Sequence, residues 1–181
     1  MTDLDPELVA EVSCRARSST AHHEAGHAVA AVARGGTLIK IHLGYADWST
    51  LDTSGDLPAE THHRSSKQNL PFVTFAGPWA TAKWTIQNDP GVDDFDDALE
   101  YAFDNATDGD GAKYDGVVEQ LKSFSATVGV PLGWERPWEY HWINELEPLW
   151  PAVCEIAAML IDGQTVVHDQ VQAAIDRCPD N

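Results

Sequence analysis

The chain has 181 residues, 43% of them hydrophobic and seven of them tryptophan, enough to bury a core within one domain spanning 1–181. Its 29 acidic residues against 11 basic ones give a formal net charge of −18, a field that repels phosphate and excludes nucleic acid as an expected partner. No apolar run approaches the roughly 18 residues needed to span a membrane, and the acidic start Met1-Thr2-Asp3-Leu4-Asp5-Pro6-Glu7 is no secretory signal. Cys14, Cys154 and Cys178 are scattered and contain no CxxC pair, so a reducing, cytoplasmic location is expected.

Residues 1–17 read as a polar lead-in with a short helix around Pro6–Arg15. Ser18, Ser19 or Thr20 then offers an N-cap for a second helix, from about Ala21 to Arg34, that is rich in alanine and stops at Gly35-Gly36. This second helix carries His23-Glu24-Ala25-Gly26-His27, an HExxH pattern. Histidines four apart on a helix lie one turn apart on one face, so both imidazoles can reach one tetrahedral Zn²⁺. Glu24 is rotated by about 100° from His23. It flanks such a metal and suits a general base that takes a proton from water and returns it to a leaving amine. His22 lies on another face and reads as structural.

Thr37–Leu43 follows as a half-buried strand, with Ile39, Ile41 and Leu43 alternating against Lys40 and His42, and is a candidate edge for pairing with an extended peptide. Gly44 to Pro58 offers one or two short partner strands, and His62-His63 reads as part of a polar loop. The next helix spans about Ser65–Gln87 and contains Pro78, which predicts a kink or break. After the turn Asn88-Asp89-Pro90-Gly91, a helix from about Asp93 to Asn105 presents Phe95, Leu99, Ala102 and Phe103 as its apolar stripe.

Asp108–Gly111 reads as a loop without the ligand spacing of an EF-hand. Tyr114–Ala126 reads as a helix with Val117, Val118, Leu121 and Phe124 inward. Gly129–Pro137 is a loop, Trp138–Asp162 is mostly helical with interruptions near Pro148 and Pro151, and Thr165–Asp176 is a last short helix. Trp134, Trp138, Tyr140, Trp142 and Trp150 form an aromatic-rich region that reads as packing. The expected fold class is mainly α with a small β-sheet beside the HExxH helix.

Two histidines leave two zinc positions, one of which a catalytic site keeps for water. Ala30 and Ala33 stand where HExxHxxGxxH needs Gly and His, which excludes the metzincin completion. Glu60 and Glu100 are possible ligands of the gluzincin type.

Three segments resemble, in order, the peptidase domain of the AAA+ protease FtsH. His23-Glu24-Ala25-Gly26-His27-Ala28-Val29 is similar to HEAGHAV, Phe75-Ala76-Gly77-Pro78-Trp79-Ala80 to the LAGxxAE segment, and Gly91-Val92-Asp93-Asp94-Phe95-Asp96-Asp97-Ala98 to GASNDxxxA. The region from Leu160 to Val171 resembles the closing helix pair more weakly. The resemblance covers about residues 20–175. It implies a helical zincin-like zinc endopeptidase fold, with Asp94 as third ligand beside His23 and His27. Asp93 and Asp97 crowd the same helix start as alternatives. The chain departs from the pattern at Thr81, where the family has Glu, and at Val92-Asp93, where Ser-Asn is usual.

No GxxxxGK[ST] sequence occurs, so the implied activity is peptide hydrolysis without the ATPase module. The expected partner is a peptide or protein substrate, and a homo-oligomer is compatible with the sequence. The competing reading is a zinc-binding regulatory module with a vestigial peptidase site.

Overall fold

A computed structural model describes residues 5–44, 59–104, 110–128 and 137–179. The first helix, α1, runs without interruption from Pro6 to Ala33. Two helices separated at Ser18–Thr20 were the sequence expectation. The chain fuses them because no Gly or Pro separates the two stretches, and within the fused helix Ser13 Oγ donates to the Val9 carbonyl one turn back (2.7 Å). The true cap is Asp5, whose Oδ1 accepts the Glu7 N–H at 3.0 Å, with Pro6 in the first turn where its missing N–H has no cost. Gly35 closes the helix at φ 72°, a left-handed conformation that suits glycine. Burial is confined to the C-terminal half, at Ala21 and from Glu24 to Val32; Leu8 and Val12 are exposed.

β1 (Thr37–Leu43) pairs antiparallel with β2 (Ala59–Arg64), and this is the only sheet among the described residues. Strict alternation would bury Ile39, Ile41 and Leu43. Instead Leu38 and Ile41 are buried and Ile39 is 50% exposed. A register shift between Leu38 and Lys40 explains the difference: one extra residue switches which face the following side chains occupy. The partner strands expected within Gly44–Pro58 fall on residues 45–58, outside the described residues. β2 itself contains His62 and His63, so the pair lies on a strand and not in the polar loop expected from the sequence. β1 is also covered on its other side at Ile41, which exchanges backbone hydrogen bonds with Val166 (3.0 and 2.9 Å). His168 Nδ1 accepts the Leu38 N–H at 3.2 Å, which gives that histidine a structural task.

α2 (Leu70–Asn88) begins five residues later than expected and runs through Pro78 without a break. It lies antiparallel to α1, since His27 meets Val73 while His23 meets Thr81. Gly26 permits that approach: a Cβ there would overlap the Ala76 carbonyl oxygen and stand 2.8 Å from Ala80 Cβ. α3 (Phe95–Asp104) and α4 (Asp110–Val128) pack on α2. α5 (Pro137–Leu146), a single 3-10 turn (Glu147–Leu149), α6 (Trp150–Ile161) and α7 (His168–Ile175) complete the described chain. Pro148 lies in the 3-10 turn and Pro151 in the first turn of α6, so the interruption falls where those prolines place it.

The core gathers Val29 of α1, Phe72, Phe75 and Trp79 of α2, Tyr114 of α4, and Ile156 and Leu160 of α6. Trp142 packs its ring against Phe75 at 5.5 Å, and Trp150 meets Trp79 edge-on at 5.8 Å, so these two tryptophans serve packing as expected. Trp134, and the side chains of Trp138, Val117, Leu121 and Phe124, lie outside the described residues. The fold is thus mainly helical with a small two-stranded sheet against α1. No described helix is long and apolar enough to cross a membrane.

Candidate metal centre

One helical turn of α1 supplies His23, Glu24 and His27 from the segment where α2 and β2 cover it. The His23 and His27 rings stand nearly perpendicular with centroids 4.7 Å apart, and their Nε2 atoms converge to 3.1 Å. Two nitrogens bound to tetrahedral zinc at about 2.0–2.1 Å would be separated by about 3.3 Å. The pair therefore already holds close to the spacing of two zinc ligands. Both rings are fixed from behind. His27 Nδ1 donates to the Val73 carbonyl at 2.7 Å, and His23 Nδ1 lies 3.0 Å from Thr81 Oγ1. The carbonyl can only accept, so a neutral His27 carries its proton on Nδ1 and leaves Nε2 as a lone pair, the tautomer a metal requires.

Gly77 makes the room. A Cβ on it would overlap His27 Nε2 and Cε1 and stand 2.9 Å from His23 Nε2. Only a residue without a side chain lets the backbone of α2 lie this close beneath both imidazoles.

Glu24 is 3% exposed. The Thr61 hydroxyl of β2 donates to Glu24 Oε2, tying the carboxylate to the sheet. A recess of about 190 Å³ opens beside it, lined by Glu24, His27, Thr61, His63, Val73 and Lys113 among others. His63 lies within 3.0 Å of Ser65 Oγ through Nδ1. Burial, and secondarily the proximity of His27, pushes the His63 imidazole below its ordinary range. The neutral form is thereby favoured on this side of the recess.

Asp94 stands on a different segment from the two histidines. It immediately precedes α3, and its Oδ1 accepts the N–H groups of Asp96 (2.8 Å) and Asp97 (3.1 Å), an N-cap arrangement. With Asp93, Asp97, Arg15, Trp84 and Tyr101 it lines a groove of about 620 Å³. Ser19 and Thr85 line that groove too, one turn before His23 and one turn after Thr81. Ser19 thus stands about 6 Å of helical rise before His23 on α1. Among the described residues no group of three or more His, Cys, Asp or Glu side chains is arranged to hold a metal ion. The residues that do converge, two imidazole lone-pair positions and one neighbouring carboxylate, fit two of the four positions on zinc together with a base.

His22 takes no part in this centre. Its Nδ1 bonds the Ser18 carbonyl at 2.7 Å and its ring lies between Trp84 and Trp150. Sequence reading did not single out Thr61, Gly77 or His63 as functional residues. Thr81 stood out only as a departure from the resembled motif, and it proves to touch His23. No protein-family model, curated protein or solved structure matches the chain.

Proposed function

We propose that the chain is a zinc-dependent endopeptidase of the HExxH type, with a zincin-like fold and a cytoplasmic location. The observation that supports this most is the convergence of His23 and His27 Nε2 to 3.1 Å, with His27's proton fixed on its far side and Glu24 buried alongside. His23 and His27 hold the ion. Asp94 enters as third ligand on the resemblance, from a loop whose groove starts one turn from His23.

Bound zinc would supply Lewis-acid polarisation of the scissile carbonyl and a lowered water pKa. Glu24 accepts the attacking water's proton and later delivers it to the departing amine nitrogen. Thr61 holds the Glu24 carboxylate through Oε2, so the base is fixed before substrate arrives. β2 is the strand beside Glu24, so an extended peptide bound along it would pass the carboxylate. The recess beside Glu24 takes a side chain next to the scissile bond.

The test is Glu24→Gln. Purified parent should hold one zinc per chain and cleave casein or a peptide library until a chelator is added. The variant should retain the zinc and lose cleavage by about 10²–10⁴-fold. Parental cleavage in the variant would overturn the mechanism. Zinc binding without cleavage in the parent would leave the regulatory-module reading in its place.

A further inference from the structure

We propose that the recess beside Glu24 selects substrates by one side chain, and that His63 makes it a pocket for an uncharged, hydrogen-bonding residue: Ser, Thr, Asn or Gln. This inference rests on the peptidase reading above and names the substrate class of that site.

The recess measures about 190 Å³, below the roughly 300 Å³ at which small-molecule pockets begin, so it admits one side chain and not a whole ligand. Thr61 and His63 stand two apart on β2 and share one face of the strand, with exposed His62 between them on the other. Thr61 bonds Glu24 from that face, and His63 lines the recess from the same face.

The His63 ring is held at one edge. Its Nδ1 lies 3.0 Å from Ser65 Oγ, and Ser65 is not among the described residues that line the recess. The opposite edge, with Nε2, is the one the ring presents to the recess. A neutral imidazole donates at one nitrogen and accepts at the other, and the Ser65 hydroxyl can answer either arrangement at Nδ1. Nε2 can therefore meet a hydroxyl or either end of an amide.

An apolar side chain in the recess would strip Nε2 of water and leave it unpaired beside Leu70 and Val73, a penalty of about 10–100-fold in kcat/KM. Charge is disfavoured from two sides. An acidic side chain would stand beside the buried Glu24 carboxylate, and a basic one would meet Lys113 or pair with the base itself.

The experiment digests, with the zinc-loaded full chain, peptides that vary only at the two residues flanking the cleaved bond. At one of these positions Ser, Thr, Asn and Gln should exceed Leu, Asp and Lys by about 10–100-fold in kcat/KM. Calorimetric binding of the Asn and Leu peptides to Glu24→Gln, which does not cleave them, should show the same order. His63→Leu should erase the advantage over Leu, while His63→Gln, which keeps a donor and an acceptor, should retain it. Where His63→Leu does not fold, His63→Ala replaces it, and the parent's own preference needs no variant. An absent or reversed preference in either measurement overturns the pocket's selectivity. Parental preference in His63→Leu overturns the role of His63. A parent that cleaves no peptide of the set overturns the peptidase reading and this inference with it, a result distinct from cleavage without preference.

Discussion

At the scale of single residues, the centre depends on what one position lacks. Gly77 lies inside α2, where alanine would ordinarily be favoured by about 0.8–1.0 kcal/mol over glycine. Here the added methyl would overlap His27 and press on His23, and forcing carbon into such a packed site costs about 1–3 kcal/mol. Overpacking wins, so Gly77→Ala should lower the melting temperature and disrupt zinc binding together. Calorimetry and chelator competition on the same sample check this, and a more stable variant with parental zinc affinity would refute it. His23, Glu24 and His27 were legible because their chemistry follows from a four-residue spacing on one helix. Gly77, Thr61 and Thr81 were not, because each acts across a helix–helix or helix–strand contact that spacing along the chain does not encode.

At the scale of elements, the start of α3 carries two assignments for one side chain. Asp94 caps the helix by accepting two N–H groups, and the proposal also makes it a zinc ligand. Asparagine caps about as well as aspartate, whereas alanine loses about 1 kcal/mol. Asp94→Asn should therefore keep the stability of the metal-free protein but weaken zinc binding, and Asp94→Ala should lose both. Parental zinc affinity in both variants would confine Asp94 to capping. The strand β1 shows the same limit of sequence reading at another element. Its alternation was visible, but the shift at Leu38–Lys40, which turns Ile39 outward, is set by pairing with β2. α1 likewise extended beyond its expected start because a competent cap at Asp5 lies ahead of Ser18–Thr20, and nothing between them breaks the helix.

At the scale of the whole molecule, charge dominates. Twenty-nine acidic side chains against 11 basic ones repel one another in the compact state. Salt also screens ion pairs such as Arg15–Asp89, Arg34–Glu145 and Arg177–Glu155, but surface pairs of this kind contribute at most about 1 kcal/mol each. Relief of repulsion should prevail, and the melting temperature should rise as sodium chloride is added at neutral pH. A fall measured by calorimetry would show that the pairs outweigh the repulsion. The sequence by itself determined the helix that carries HExxH, the two imidazoles on one face of it, and the mainly helical class, because helical periodicity and chain stops are local properties. Only the tertiary structure decided that β2 reaches Glu24, that α2 brings Gly77 and Thr81 beneath the histidines, and that Asp94 caps α3. Those placements follow from close packing between residues tens of positions apart, which local sequence patterns do not specify.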